Sequence, residues 1–211
     1  QTNAFRCEIE KRYGFPGANI MVAAIHNHRG PAVANLADIP RDEAYIKVLT
    51  EKVVRLFGEA LRNMQPAAIG MESVLEWEVA SNRRVVKRDG LVGKGPSAQP
   101  LYVEGPIDPE VAVLAVKDAQ GKLMGILVNH AMHPNAAGVG MGAGVPGWLE
   151  LALRQKTGCP ITMFLNGAAG NLQIHSVRKR PIENSETELA AKLAQDVRDA
   201  LKTMNFEEHA P

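Results

Sequence analysis

Residues 20–31 read IMVAAIHNHRGP, an unbroken apolar run, Ile20 to Ile25, that meets His26-Asn27-His28 and then Arg29-Gly30-Pro31. A run of that length, rich in β-branched and aliphatic residues, predicts a strand buried on both faces, as in α/β folds. Gly30-Pro31 is a strong break, so the two histidines fall where the strand gives way to a loop. Side chains alternate along a strand, which puts His26 and His28 on the same side. Two imidazoles aimed one way form a metal or proton-transfer site, or simply a hydrogen-bonded pair on a loop. Spacing alone leaves both readings open.

Upstream, Phe5, Ile9 and Tyr13 lie four apart and predict a helix closed by Gly14. Downstream, Ile39-Pro40-Arg41-Asp42 opens a second helix. Its stripe is Tyr45, Leu49, Val53, Phe57 and Ala60, and it should stop near Asn63, ahead of Pro66. Residues 67–80 alternate imperfectly and predict strands, one of them carrying Trp77; Asp89-Gly90 marks a turn, and 93–109 reads as an extended loop. Val111–Val116 and Leu123–His130, joined by 118–122, predict a β-hairpin.

The stretch after His133-Pro134 holds Gly138, Gly140, Gly142 and Gly144, a density that lets backbone approach a ligand or leaves a mobile loop. Trp148–Gln155 reads as a short helix, and Ile161–Leu165 as a buried strand ending in Asn166-Gly167-Ala168-Ala169-Gly170-Asn171. A final helix carries Leu189, Leu193, Val197 and Leu201 on one face, opened by a Ser185/Glu188 capping box, with a frayed tail from Asn205. The fold class this implies is α/β, a mixed sheet flanked by helices with metal-site loops at strand ends.

With 211 residues and 45% hydrophobic content, the chain can bury a real core as one large domain. A formal charge of +1 gives no electrostatic footprint for nucleic acid, and the basic runs at 83–88 and 178–180 lack interleaved aromatics. No apolar run approaches the roughly 18 residues of a membrane span. Two cysteines, Cys7 and Cys159, support neither a disulfide framework nor a thiolate zinc cluster. The first residues lack a Met and read as the interior of a helix, so the expectation is a piece of a longer protein, truncated at both ends.

Three segments therefore carry chemistry: His26-Asn27-His28, His130-Ala131-Met132-His133-Pro134 and residues 166–171. Together they resemble a family. HNHRGP resembles the THTHSGP signature of the neutral (non-lysosomal) ceramidases; LVNHAMHP is similar to that family's NFAxHP segment; FLNGAAGN is similar to the FLNGACGN segment of its short bacterial members. Asn82-Arg83 and Ile107-Asp108-Pro109-Glu110-Val111 fall in the family's order. The resemblance implies that residues 1–211 form a ceramidase-like N-terminal catalytic domain of a secreted or periplasmic zinc amidase. Its substrate would be N-acylsphingosine or a related small-molecule or lipid amide.

In that family the first histidine of the pair and the histidine of the HP segment bind zinc, roles that map to His26 and His133. The second histidine of the pair and the arginine of the Asn-Arg segment stand beside the metal, which maps to catalytic roles for His28 and Arg83. The family's remaining two ligands, a glutamate and a tyrosine, map beyond Pro211. The segment 142–147 lacks the family's aspartate, and Gln173 stands where larger members have a serine. Arg29 replaces a small serine and is expected to place a cation beside the metal, disfavouring it. These departures carry the alternative of a non-catalytic domain that binds a ligand or partner. A phosphoesterase ranks below both, since two-metal sites draw on several carboxylates. His130, His175 and His209 are read as packing, surface or tail residues.

Overall fold

The computed structural model describes residues 1–90, 92–94, 100–134, 140–174 and 186–208. The chain divides into two compact units, Gln1–Ala23 with Gly30–Pro66, and Ala24–Arg29 with Ala67–Pro211.

The first unit is helical, as its periodicity predicts. Helix α1, Thr2–Tyr13, buries Phe5 and Ile9 and ends on Gly14, whose left-handed φ of 67° lets its N–H return to the Glu10 carbonyl. Helix α2, Glu43–Arg62, is capped by Asp42, whose carboxylate accepts from the Tyr45 N–H, and closes at Asn63. Ile9, Ile20 and Val54 form a small core with Tyr13, Phe15 and Phe57 around it.

The apolar run 20–25 is a correction. Residues 20–27 form neither helix nor strand, Met21 is 72% exposed, and among the described residues no neighbouring strand supplies a ladder. Ile20 is buried in the core of the first unit, whereas Ile25 packs against that of the second. The run is apolar because its two ends serve different cores, not because it lies in a sheet.

The second unit is built on strands β1, Ala67–Leu75; β2, Ala80–Asn82; β3, Arg84–Lys87; β4, Val92–Lys94; β5, Pro100–Val103; β6, Glu110–Asp118; β7, Leu123–His130; β8, Ile161–Asn166; β9, Leu172–Ile174; and β10, Phe206–Glu208. Helices α3, Gly144–Thr157, and α4, Glu186–Thr203, complete it. The main sheet runs β10-β1-β6-β7-β8; β7 and β8 pair parallel and the others antiparallel. A parallel pair needs a crossover, and α3 supplies it. This is the expected α/β fold, a mixed sheet flanked by helices. Alternation along the strands sends Val111, Val113, Ala115, Ile126, Val128 and Phe164 into one core with Leu149 and Leu153 of α3 and Leu189, Leu193 and Val197 of α4.

The β6–β7 hairpin forms as predicted, its turn held by the Asp118 carboxylate, which accepts from the N–H groups of Gln120 and Lys122. Four local readings change. Trp77 lies off the strands and is 61% exposed. The stretch read as a loop from 93 contains β4 and β5, both paired with β3. Helix α3 starts at Gly144, ahead of Trp148, with Pro146 tolerated in its first turn. The tail at 206–208 pairs with β1 instead of fraying, anchored by buried Met204 and by the Lys117 ammonium 3.7 Å over the Phe206 ring. The proposed caps at Ser185, the glycine at 138 and the histidines at 175 and 209 lie outside the described residues. No helix among the described residues is long and apolar enough to cross a membrane.

Gly70 is where β1 meets this tail. A Cβ there would stand 2.6 Å from Met204 Cγ and 2.8 Å from the Asn205 carbonyl oxygen. Gly70→Ala is therefore expected to destabilise the protein by about 1–3 kcal/mol, read from urea unfolding midpoints at unchanged m value.

Glu76, following β1, is 2% exposed and accepts from the Val79 N–H at 3.2 Å while meeting Lys192 Nζ at 2.9 Å. Burial, and the hydrogen bond and charge of Glu76, push the neighbouring Asp196 carboxyl up to about 7. Burial works to raise Glu76 as well, but hydrogen bonds from Asp196, Glu78 N–H and Lys192 outweigh it and hold that carboxylate low. Asp196 keeps its proton in the folded state where the unfolded chain, near 3.8, has released it. Its contribution to stability thus falls as pH rises from about 4 to about 7. Asp196→Asn should match the wild-type Tm at pH 4 and exceed it by about 2–4 °C at pH 8 in scanning calorimetry, a gain of about 1 kcal/mol.

Candidate metal centre

The parallel pairing of β7 and β8 places both carboxyl ends on one side of the sheet, where α/β proteins bind ligands. The chain leaving β7 carries His133, and the chain leaving β8 carries residues 167–171. The two loops touch closely. Gly167 N–H donates to the His130 carbonyl at 3.1 Å, and Met132 N–H to Asn166 Oδ1 at 3.3 Å. A Cβ on Gly167 would stand 3.0 Å from Ala131 Cα, so a glycine fits this crossing.

His133 is 5% exposed, and its Nδ1 lies 3.2 Å from the Ala169 carbonyl. A carbonyl can only accept, so Nδ1 carries the proton and Nε2 presents a lone pair. His26 holds a left-handed φ of 58°, uncommon for a residue with a Cβ. This turn, rather than strand alternation, folds the loop so that His26 and His28 face each other. Their Nε2 atoms are 2.9 Å apart; His26 to His133 is 3.1 Å and His133 to His28 is 3.3 Å. The three rings stand close to perpendicular to one another, at 77–82°.

Hydrogen bonding alone leaves this triangle unsatisfied. Each Nε2 bears either a proton or a lone pair, so among three mutual contacts at least one joins like with like. A cation shared by three lone pairs removes that conflict. Nitrogens about 2.0–2.1 Å from one tetrahedral zinc stand about 3.3–3.4 Å apart; the His133–His28 edge at 3.3 Å meets this, and the edges at 2.9 and 3.1 Å are shorter. The donor set, three imidazoles, suits a borderline-soft ion such as zinc. Among the described residues these three form the group of His, Cys, Asp or Glu side chains able to share a metal.

The electrostatics at His133 and His28 agree with neutral, lone-pair-bearing rings. Burial lowers the His133 pKa, helped by the charges of Arg83, His26 and His28. Burial also lowers that of His28, with His26 and Arg83 adding to it. Arg83 thus stands beside the triangle, held by its Nη2–H donating to the Gly170 carbonyl at 2.6 Å and by its own N–H donating to Asn171 O at 2.8 Å. All four residues singled out from the sequence, His26, His28, Arg83 and His133, gather here.

The expectation for Arg29 does not hold. Its guanidinium turns to Glu186 of α4, Nη1 to Oε1 2.9 Å, so its charge is paired. His130 stays out of the triangle: it is fully buried, with Nδ1 2.9 Å from the Glu110 carbonyl, and burial lowers its pKa. Gln173 contacts Ser81 Oγ at 3.4 Å within the β2–β9 pair. Sequence reasoning missed the Ala169 and Gly170 carbonyls and Glu186. Backbone acceptors leave no residue signature, and an acid in a helix's first turn looks like an ordinary dipole partner.

No family model matches the chain. Among curated proteins, neutral ceramidase of Pseudomonas aeruginosa is 29% identical over 132 residues, 56% of this chain and 18% of that protein. Among solved structures, neutral ceramidase from Pseudomonas aeruginosa superposes with a TM-score of 0.70 at 20% identity, covering 95% of this chain and 35% of that one. A ceramidase complexed with C2 gives a TM-score of 0.73 at 20% identity, over 95% of this chain and 34% of its own. The chain thus spans a minor part of the proteins it matches. In sequence over 132 residues and in fold over nearly its whole length, the chain is similar to neutral ceramidase, the family its motifs resemble.

Proposed function

We propose that this chain contributes the metal centre of a zinc-dependent hydrolase that cleaves a linear amide bond, in N-acylsphingosine or a related N-acyl lipid. The observation that carries the reading is the convergence of the His26, His28 and His133 Nε2 atoms within 3.3 Å of one another. Three protein ligands are the usual number for a catalytic zinc, with one position left for water or substrate. In this reading His28, assigned from the motif to a place beside the metal, would join His26 and His133 as a ligand. A zinc ion held there supplies Lewis-acid polarisation of the amide carbonyl and acidifies a water molecule.

The chain's own residues do the rest. The Ala169 carbonyl fixes the His133 tautomer and aims its lone pair. Arg83, always charged and anchored by Gly170, would supply the cation that stabilises negative charge developing on the amide oxygen. The similarity to neutral ceramidase supports amide chemistry on a lipid.

A second reading keeps the fold but not the turnover: a non-catalytic domain that binds a ligand or partner, its metal site incomplete. What favours it is that the described cluster is all histidine, and the segment 142–147 offers no carboxylate to take a proton.

The test is metal analysis and turnover on the polypeptide that carries this chain. The amidase reading expects one zinc per chain, lost in His26→Ala and His133→Ala, with zinc-dependent release of fatty acid from N-acyl lipids. Arg83→Ala should lower kcat about 100–1,000-fold with zinc content unchanged. Absence of zinc overturns the amidase reading, and no release of fatty acid even with excess zinc moves the conclusion to the binding reading, which zinc-dependent release would overturn.

A further inference from the structure

The loop that carries two of the three imidazoles has almost no regular structure to hold it. His26 sits in a left-handed conformation, and residues 20–27 belong to no helix or strand. Its position comes instead from a set of contacts centred on Arg29. The Arg29 N–H donates to Asn27 Oδ1 at 2.9 Å, which closes the turn on itself. Asn27 Nδ2 donates to the Gly142 carbonyl at 2.5 Å, and Gly142 N–H donates back to the Arg29 carbonyl at 3.1 Å. The guanidinium then passes over Gly142, where a Cβ would collide with Nη2, and reaches Glu186 at 2.9 Å. Both ends of that ion pair are largely covered, with side chains 21% and 15% exposed.

We infer that Arg29 and Glu186 are positioning residues, an ion-pair clamp that ties the His26–His28 loop to the first turn of α4 and holds the two imidazoles in register with His133. Arg29 touches no reacting group; it acts through the loop. Glu186 suits its end of the clamp because an acid in a helix's first turn is also favoured by the helix dipole. The guanidinium is long enough to span the glycine, whose missing side chain leaves the channel it occupies, and its fork then meets the carboxylate. The basic residue beside the histidines, unfavourable to a metal if unpaired, becomes the means of holding the metal ligands once Glu186 neutralises it.

This clamp rests on the zinc reading for its purpose, but its action on the imidazoles is measurable without metal. Two readouts separate the cases. The first is the imidazole ¹H–¹³C spectrum of the metal-free protein, which reports whether His26 and His28 hold a fixed environment. The second is zinc affinity by competition with a chromophoric chelator. Arg29→Ala and Glu186→Gln should each collapse the His26 and His28 resonances towards free-histidine values while those of buried His130 stay in place. Zinc affinity should fall about tenfold, as for other groups that orient metal ligands. The charge swap Arg29→Glu with Glu186→Arg should recover part of both signals.

Unchanged His26 and His28 resonances in the single variants would overturn the clamp whether or not zinc binds. So would a loss of affinity matched by disturbed His130 resonances, or a swap no better than either single variant. If wild type binds no zinc, the zinc reading falls and the resonances alone decide the clamp.

Discussion

Parallel pairing of β7 with β8 is the constraint on which the candidate site depends. In an antiparallel sheet consecutive strands end on opposite sides, so the loops that follow them diverge. Here α3 carries the chain back so that β8 runs alongside β7 in register from Gly125↔Ile161 to His130↔Asn166. The loops leaving the two strands are then forced together, tightly enough that Gly167 lies against Ala131. That crossing places the Ala169 carbonyl against the His133 ring and the Gly170 carbonyl against Arg83. One hydrogen-bonding register thereby fixes the His133 ring, its tautomer and a neighbouring cation. The remaining two imidazoles arrive on a separate loop whose geometry depends on side-chain contacts.

The difference between these two kinds of support decides how much could be read from the sequence. Helices α1 and α2 were legible to within a residue or two because their stripes, the Asp42 cap and the Gly14 terminator all act locally. The β6–β7 hairpin and β8 were legible for the same reason: alternation and turn chemistry agree within a few residues. The run 20–25 was not, because apolar character does not establish burial: residues 21–24 are exposed, and only the two ends of the run meet a core. Ile20 and Ile25 are covered by different cores, and a window of six residues does not reveal that. Strand β10 escaped notice because three polar-flanked residues carry no period; its existence depends on Met204 and on the absence of a side chain at Gly70.

The site residues tell a related story. His26, His28, His133 and Arg83 were found from motif order, and they converge although the strand geometry first used to align His26 with His28 is not what aligns them. Alternation along a strand and a left-handed turn can each bring residues two apart to one side; the sequence pattern is the same for both. Arg29 shows the opposite case, where proximity in sequence misled about proximity in charge. Its neighbour along the chain is His28 of the histidine triangle, yet its neighbour in space is a carboxylate 157 residues away.

The left-handed turn at His26 also sets a conflict between folding and chemistry. An L-residue in that conformation gives up about 1–2 kcal/mol relative to glycine, for which the turn carries no steric penalty. Glycine at 26 would relax the backbone and remove the nitrogen that joins the other two imidazoles. Variants selected only for thermal resilience would therefore drift towards a sturdier loop with no centre. Improvement of this protein by stability alone would discard its most informative residue first, so the integrity of the histidine triangle has to be scored together with melting behaviour.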